Sequence, residues 1–137
     1  MKRPSPILKL MLAAIASLTI SASYNVATAG DPAASKREYQ VVHVIDGDTI
    51  VAGDGNVSFH VRIAAMDAPE KGQAYGKVAK LRMQELVNGK TITIEPIDKG
   101  YDKYGRVLGK VMVGEKDPAL ILIQEGLATY YSSLTFN

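Results

Sequence analysis

With 137 residues, 47% of them hydrophobic and 22% charged, the chain is sized for one folded domain, which excludes a disordered tail and a large two-domain enzyme. The absence of cysteine excludes disulfide frameworks, thiolate metal sites and cysteine nucleophiles. The formal charge of +2 belongs to the N-terminus: Lys2, Arg3 and Lys9 precede residue 30, all 14 acidic residues follow it, and residues 30–137 carry a net charge of −1. Any affinity for a polyanion must therefore come from a local site.

Residues 1–29 combine a basic start, a short apolar run over 10–23 and the small-residue end Ala27-Thr28-Ala29. This pattern predicts a cleavable signal peptide and export to the periplasm or the medium. The run falls short of the ~20 apolar residues that a spanning helix needs. Residues 30–38 are expected to form a flexible lead-in. Tyr39–Ile45 is rich in β-branched residues and ends at the Asp46-Gly47-Asp48 turn, and Thr49–Ala52 resumes as a strand. Gly53-Asp54-Gly55-Asn56 makes a hairpin. Val57–Ile63 alternates so as to put Val57, Phe59, Val61 and Ile63 on one face.

The period then becomes helical from Gln73 to Asn88, with Tyr75, Val78, Ala79, Met83 and Leu86 as the apolar stripe. Arg82 falls within the stripe and is expected to run its stem along the core with its head outward. Thr91–Ile94 and Arg106–Val113 read as two more strands. Asp117-Pro118 opens a second helix with Leu120, Ile123 and Leu127 on its buried side. The order β-β-β-α-β-β-α predicts a mainly β domain with α, a five-stranded OB-fold Greek-key barrel over 39–131, followed by a short tail at 132–137.

Four acids bracket the first three strands. Asp46 and Asp48 end the first, Asp67 and Glu70 follow the third, and an antiparallel meander brings both ends to one edge of the barrel. Singly, each is an ordinary turn residue. Together they would repel one another unless a hard divalent cation, Ca²⁺ or Mg²⁺, sits among their oxygens. An EF-hand is excluded, because Ile50 and Val57 would fall at its fifth and twelfth positions. Arg62 lies on a strand whose neighbours Val61 and Ile63 face the other way, and Arg106 ends the turn Asp102-Lys103-Tyr104-Gly105. A cation with two guanidinium groups suits a phosphodiester, whose negative charge grows as a nucleophile adds to phosphorus. His43 and His60 read as exposed strand residues, with no third partner for zinc.

Three segments, Val44-Ile-Asp-Gly-Asp-Thr49, Val61-Arg-Ile-Ala-Ala-Met-Asp-Ala-Pro-Glu70 and Asp102-Lys-Tyr-Gly-Arg106, closely resemble the signatures of the staphylococcal nuclease family, in order and in spacing. The resemblance runs from about Tyr39 to Tyr131. It implies an OB-fold endonuclease that cleaves DNA and RNA with one Ca²⁺ ion and leaves 3′-phosphate ends; separately, the protein is expected to act as a monomer with no stable membrane association after cleavage of the signal peptide. By the same resemblance, Asp48 and Asp67 would ligate the ion through carboxylates and Ala68 through its carbonyl, with Asp46 behind them. Glu70 would act as general base or orient the attacking water. Arg62 and Arg106 would stabilise the transition state, and Lys103 and Tyr104 would contact a nucleotide phosphate. The family's threonine is Ala68 here, the stretch from Glu70 to Tyr75 is shorter, and the chain ends about ten residues after Leu127. Tyr130 or Tyr131 would offer a stacking surface. The alternatives are a non-catalytic OB-fold module that binds nucleic acid, and a C-terminally truncated, weakly active nuclease.

Overall fold

The computed structural model describes residues 30–33 and 36–132. The expected signal peptide at 1–29 and the tail beyond Ser132 lie outside the described residues. Strands β1 (Arg37–Val44), β2 (Thr49–Gly53) and β3 (Ser58–Ile63) form the expected antiparallel meander. The β2–β3 turn is held by Asp54, whose Oδ1 accepts from the amides of Asn56 and Val57 at 3.0 and 3.1 Å. After the two-residue strand β4 (Met66–Asp67) comes helix α1 (Gly76–Val87), followed by β5 (Thr91–Tyr101) and β6 (Val107–Met112). Helix α2 (Pro118–Gln124) and strand β7 (Thr129–Tyr130) complete the elements of the described residues. The barrel closes in the order β1-β2-β3-β6-β5, with β3 and β6 parallel and the other neighbours antiparallel. This is the five-stranded OB arrangement.

Alternation fails in β1 at one informative place. Tyr39, Val41 and Val44 face the core, whereas Val42 and His43 both face out. A bulge between Val41 and His43 inserts one residue and returns Val44 to the core. At the same edge the β2–β3 pairing runs one step further, as the Asp48 carbonyl accepts from the amide of Ile63 at 2.9 Å. The core that fixes this edge includes Ile50, Ile63, Met66, Met83, Ile92 and Leu122, all essentially inaccessible. Each contributes roughly 1.5–3 kcal/mol by burial.

Several elements differ from expectation. β1 starts at Arg37, so the lead-in gives up its last two residues to pairing with Thr93 and Ile94. Asp31 also accepts a hydrogen bond from the Tyr101 hydroxyl, which ties the lead-in to β5. Val57 precedes β3 and is exposed. α1 starts at Gly76, not Gln73, because Tyr75 takes a left-handed φ of 62°. Ala79, Met83 and Val87 face the core, whereas Tyr75 and Val78 are exposed. Arg82 does extend its head outward, to Glu125 at 2.8–3.1 Å and to Glu85 at 2.8 Å, joining α1 to the end of α2. β5 continues past Ile94 to Tyr101 through an irregularity that accommodates Asp98 and Gly100 at positive φ. In α2 the buried side is Pro118, Ala119 and Leu122, and Leu120 is 49% exposed.

Candidate functional site

The turn between β1 and β2 is built before it is functional. The amides of Ile45 and Asp46 both donate to the Thr49 carbonyl, at 2.9 and 3.2 Å. Asp46 Oδ1 accepts from the amide of Asp48 at 3.2 Å. Gly47 between them is buried, and a Cβ there would lie 2.7 Å from Ala68 Cβ and 2.9 Å from Ala79 Cβ. The turn is therefore clamped between the segment after β4 and helix α1.

Asp48 is only 7% exposed, yet both of its carboxylate oxygens are satisfied. Oδ1 accepts from Thr49 Oγ1 at 2.9 Å, and Oδ2 accepts from the amide of Ala68 at 3.0 Å and lies 3.4 Å from Arg62 Nη2. These contacts offset the cost of burying the charge. Asp46 has less support: burial, and then the neighbouring Asp48 carboxylate, push its pKa above the usual carboxylate value.

Arg62 ends β3 folded back on the next bend. Nη1 donates to the carbonyls of Ile63 at 2.6 Å and Met66 at 2.9 Å, and Nη2 donates to Asp67 Oδ1 at 3.2 Å. The bend passes through Ala65 at φ 63°, and the β4–β7 pairing fixes its far side, with Asp67 opposite Thr129. Asp48 and Asp67 thus converge on one guanidinium nitrogen.

Arg106 reaches the same edge from the β5–β6 hairpin. Asp102 holds it twice: Oδ1 accepts its amide at 3.0 Å and Oδ2 accepts Nε at 2.6 Å. Burial alone would raise the pKa of Asp102, but the Arg106 amide and guanidinium and the Tyr104 amide together hold it below the ordinary value. Arg106 Nη1 makes a long contact of 3.5 Å to Thr49 Oγ1. Arg106, Thr49, Asp48, Arg62 and Asp67 thereby form one continuous chain of polar contacts. Tyr104, 71% exposed at the hairpin tip, has Lys103 Nζ 5.0 Å and Arg106 Cζ 5.3 Å from its ring centroid. A cavity of about 210 Å³ opens among Arg62, Arg106, Lys103, Tyr104, Ala65 and Tyr131. A larger one of about 400 Å³, between α2 and the barrel, is lined by Tyr130 and Tyr131 but by none of the expected catalytic or metal-binding residues.

Glu70 stands apart from this chain of contacts. Its backbone is tied to Gln73, with the amide donating to Gln73 Oε1 at 2.8 Å and the carbonyl accepting from the Gln73 amide at 2.9 Å. Among the described residues its exposed carboxylate has no hydrogen-bond or ion-pair partner. Sequence reading missed Thr49 and Asp102 as the groups that link and hold the arginines. The available signal was local: a hydroxyl directly after the second aspartate, and a carboxylate four residues before the second arginine.

The possible ligand atoms shown beside Arg62 are the carboxylate oxygens of Asp48 and Asp67, and the Ala68 backbone meets them through its amide, which donates to Asp48 Oδ2. Such a set fits a hard divalent cation better than a soft transition metal. Among the described residues, no group of three or more His, Cys, Asp or Glu side chains could hold an ion unaided. Carbonyl oxygens and water would complete the coordination.

Comparison with known proteins adds to this geometry. A family model described as staphylococcal nuclease homologue matches residues 60–136. An Escherichia coli protein named "uncharacterized endonuclease" is 44% identical over 72 residues, 53% of this chain and 46% of the relative, so the matched stretch spans under half of that relative's length. A micrococcal nuclease of Shigella flexneri is 34% identical over 88% of this chain and 74% of its own length. A thermonuclease of Staphylococcus hyicus is 31% identical over 93% of this chain and 81% of its own length.

Proposed function

The chain belongs to the staphylococcal nuclease family, and on that premise we propose that it is a Ca²⁺-dependent endonuclease hydrolysing phosphodiester bonds of DNA and RNA. The observation that carries the reading is the polar chain in which Arg62 and Arg106 are joined through Asp48 and Thr49 at one barrel edge. Two guanidinium groups held there match the second negative charge that a phosphodiester gains as a nucleophile adds.

Asp48, Asp67 and the Ala68 carbonyl would hold the cation, with Asp46 behind them. When bound, Ca²⁺ supplies positive charge against a phosphate oxygen and lowers the pKa of a water molecule. Glu70, whose carboxylate has no other partner among the described residues, takes the proton of the attacking water or orients it. Arg62 and Arg106 donate hydrogen bonds to the phosphoryl oxygens as their charge increases. Hydrogen bonds to Ile63 and Met66 hold Arg62, and those to Asp102 hold Arg106, before substrate arrives, while Arg62 Nη2 must turn from Asp48 and Asp67 to reach a phosphoryl oxygen. Lys103 and Tyr104 grip a neighbouring phosphate. Export to the periplasm or medium is supported by the pattern of residues 1–29, and action as a monomer with no stable membrane association after cleavage of that segment completes the proposal.

The test is incubation of purified protein with denatured DNA in Ca²⁺, in Mg²⁺ or in EDTA. Cleavage in Ca²⁺ that EDTA abolishes is expected. A folded protein that binds the DNA without cutting it would favour a binding module.

A further inference from the structure

Glu70 is the one proposed catalytic group whose side chain no described residue holds, so its position depends on its backbone. That backbone is clamped reciprocally. Gln73 Oε1 accepts the Glu70 amide at 2.8 Å, while the Gln73 amide donates to the Glu70 carbonyl at 2.9 Å. The turn is then closed onto α1, because the Gly76 amide donates to the Gln73 carbonyl at 3.1 Å. Gly76 is packed so tightly that a Cβ would lie 1.9 Å from the Glu70 carbonyl oxygen. Tyr75, at φ 62°, makes the sharp entry into the helix that this closure requires. Pro69 on the other side has no amide proton to contribute and has a fixed φ.

We infer that Gln73 is a positioning residue, whose side-chain oxygen fixes the Glu70 backbone and so aims the free carboxylate at the reacting water. The inference deepens the functional proposal and rests on its reading of Glu70. Glu70 and Gln73 are both exposed, so loss of the Gln73 acceptor does not leave the Glu70 amide buried and unpaired; water replaces the bond, and the turn gains freedom without unfolding. The cost falls on alignment, where a displacement near 1 Å is enough to slow a reaction by up to ~10²-fold.

A double-mutant cycle on the full chain tests this. Gln73→Met keeps the side-chain length and removes the acceptor. It is expected to lower kcat about tenfold while KM, affinity for an uncleavable oligonucleotide and Tm stay nearly unchanged. Gln73→Glu, which restores an acceptor oxygen at the same reach, should recover most of the loss. In a Glu70→Gln background the Gln73→Met effect should vanish, because there is no base left to aim. If Glu70→Gln alone remains fully active, the reading of Glu70 itself fails. If Glu70→Gln is crippled but Gln73→Met is as fast as wild type, the positioning role is overturned alone. That role is equally overturned if Gln73→Met raises only KM, or if the two losses multiply.

Discussion

Asp102 shows how much of this site lies in groups that hold other groups in place. It binds both the amide and the Nε of Arg106, and its charge makes those bonds stronger than neutral ones. Asp102→Asn is expected to lower kcat about tenfold through Arg106 and to cost about 1.5–3 kcal/mol of stability, read from denaturant unfolding. The pH dependence has a definite sign. The folded pKa of Asp102 is lowered, so its contribution is full above the unfolded value near ~3.9 and is lost as pH falls through the lower folded value. The Asp102→Asn variant should therefore show a flatter loss of stability across that acid range than wild type. At this scale the convergence of Asp48 and Asp67 was legible, because the ends of the first and third strands of an antiparallel meander share one edge. Thr49 and Asp102 were not, since a hydroxyl or carboxylate that only orients a neighbour has no spacing rule of its own.

At the scale of elements, the Asp46–Asp48 turn is held by packing as much as by hydrogen bonds. Gly47 fits between Ala68 and Ala79 only because it lacks a side chain. Gly47→Ala is expected to cost about 1–3 kcal/mol by overpacking and to displace Asp48. Gly72→Ala, where an added Cβ meets nothing within 4 Å and φ is not positive, serves as the control. Thermal unfolding should show a Tm drop of roughly 4–8 °C per kcal/mol for the first variant and almost none for the second. The strands were readable where alternation held, as in Val61 and Ile63 of β3. They were not where a bulge shifted the phase at Val42, or where β5 carried on through Asp98 and Gly100. Helix α2 was misphased for a different reason: Ala119 to Ile123 is apolar at every position, so no periodicity distinguishes Leu122, which is buried, from Leu120, which is not. The two-residue strands β4 and β7 are too short to carry a period at all.

For the whole molecule, closure of the barrel brings the ends of β1 and β3 and the β5–β6 hairpin to one edge, joining residues as distant in sequence as Thr49 and Arg106. The positive charge is local, since residues 30–137 carry a net charge of −1. With Arg62 and Arg106 on one phosphate and Lys103 on its neighbour, about two phosphates would be neutralised, so single-stranded DNA affinity should fall with salt with a log–log slope of ~−1.4, at −0.7 per phosphate. A slope several times steeper would require a basic surface beyond this edge, and binding titrations over a range of salt concentrations would measure it. The central claim is that two guanidinium groups at this edge act on the phosphodiester in the transition state. The most direct measurement is the single-turnover cleavage rate of Arg62→Ala and Arg106→Ala against wild type at saturating DNA and Ca²⁺. A loss of ~10³ or more for each, with folding intact, is the predicted result. Near-wild-type cleavage by either variant would contradict the account.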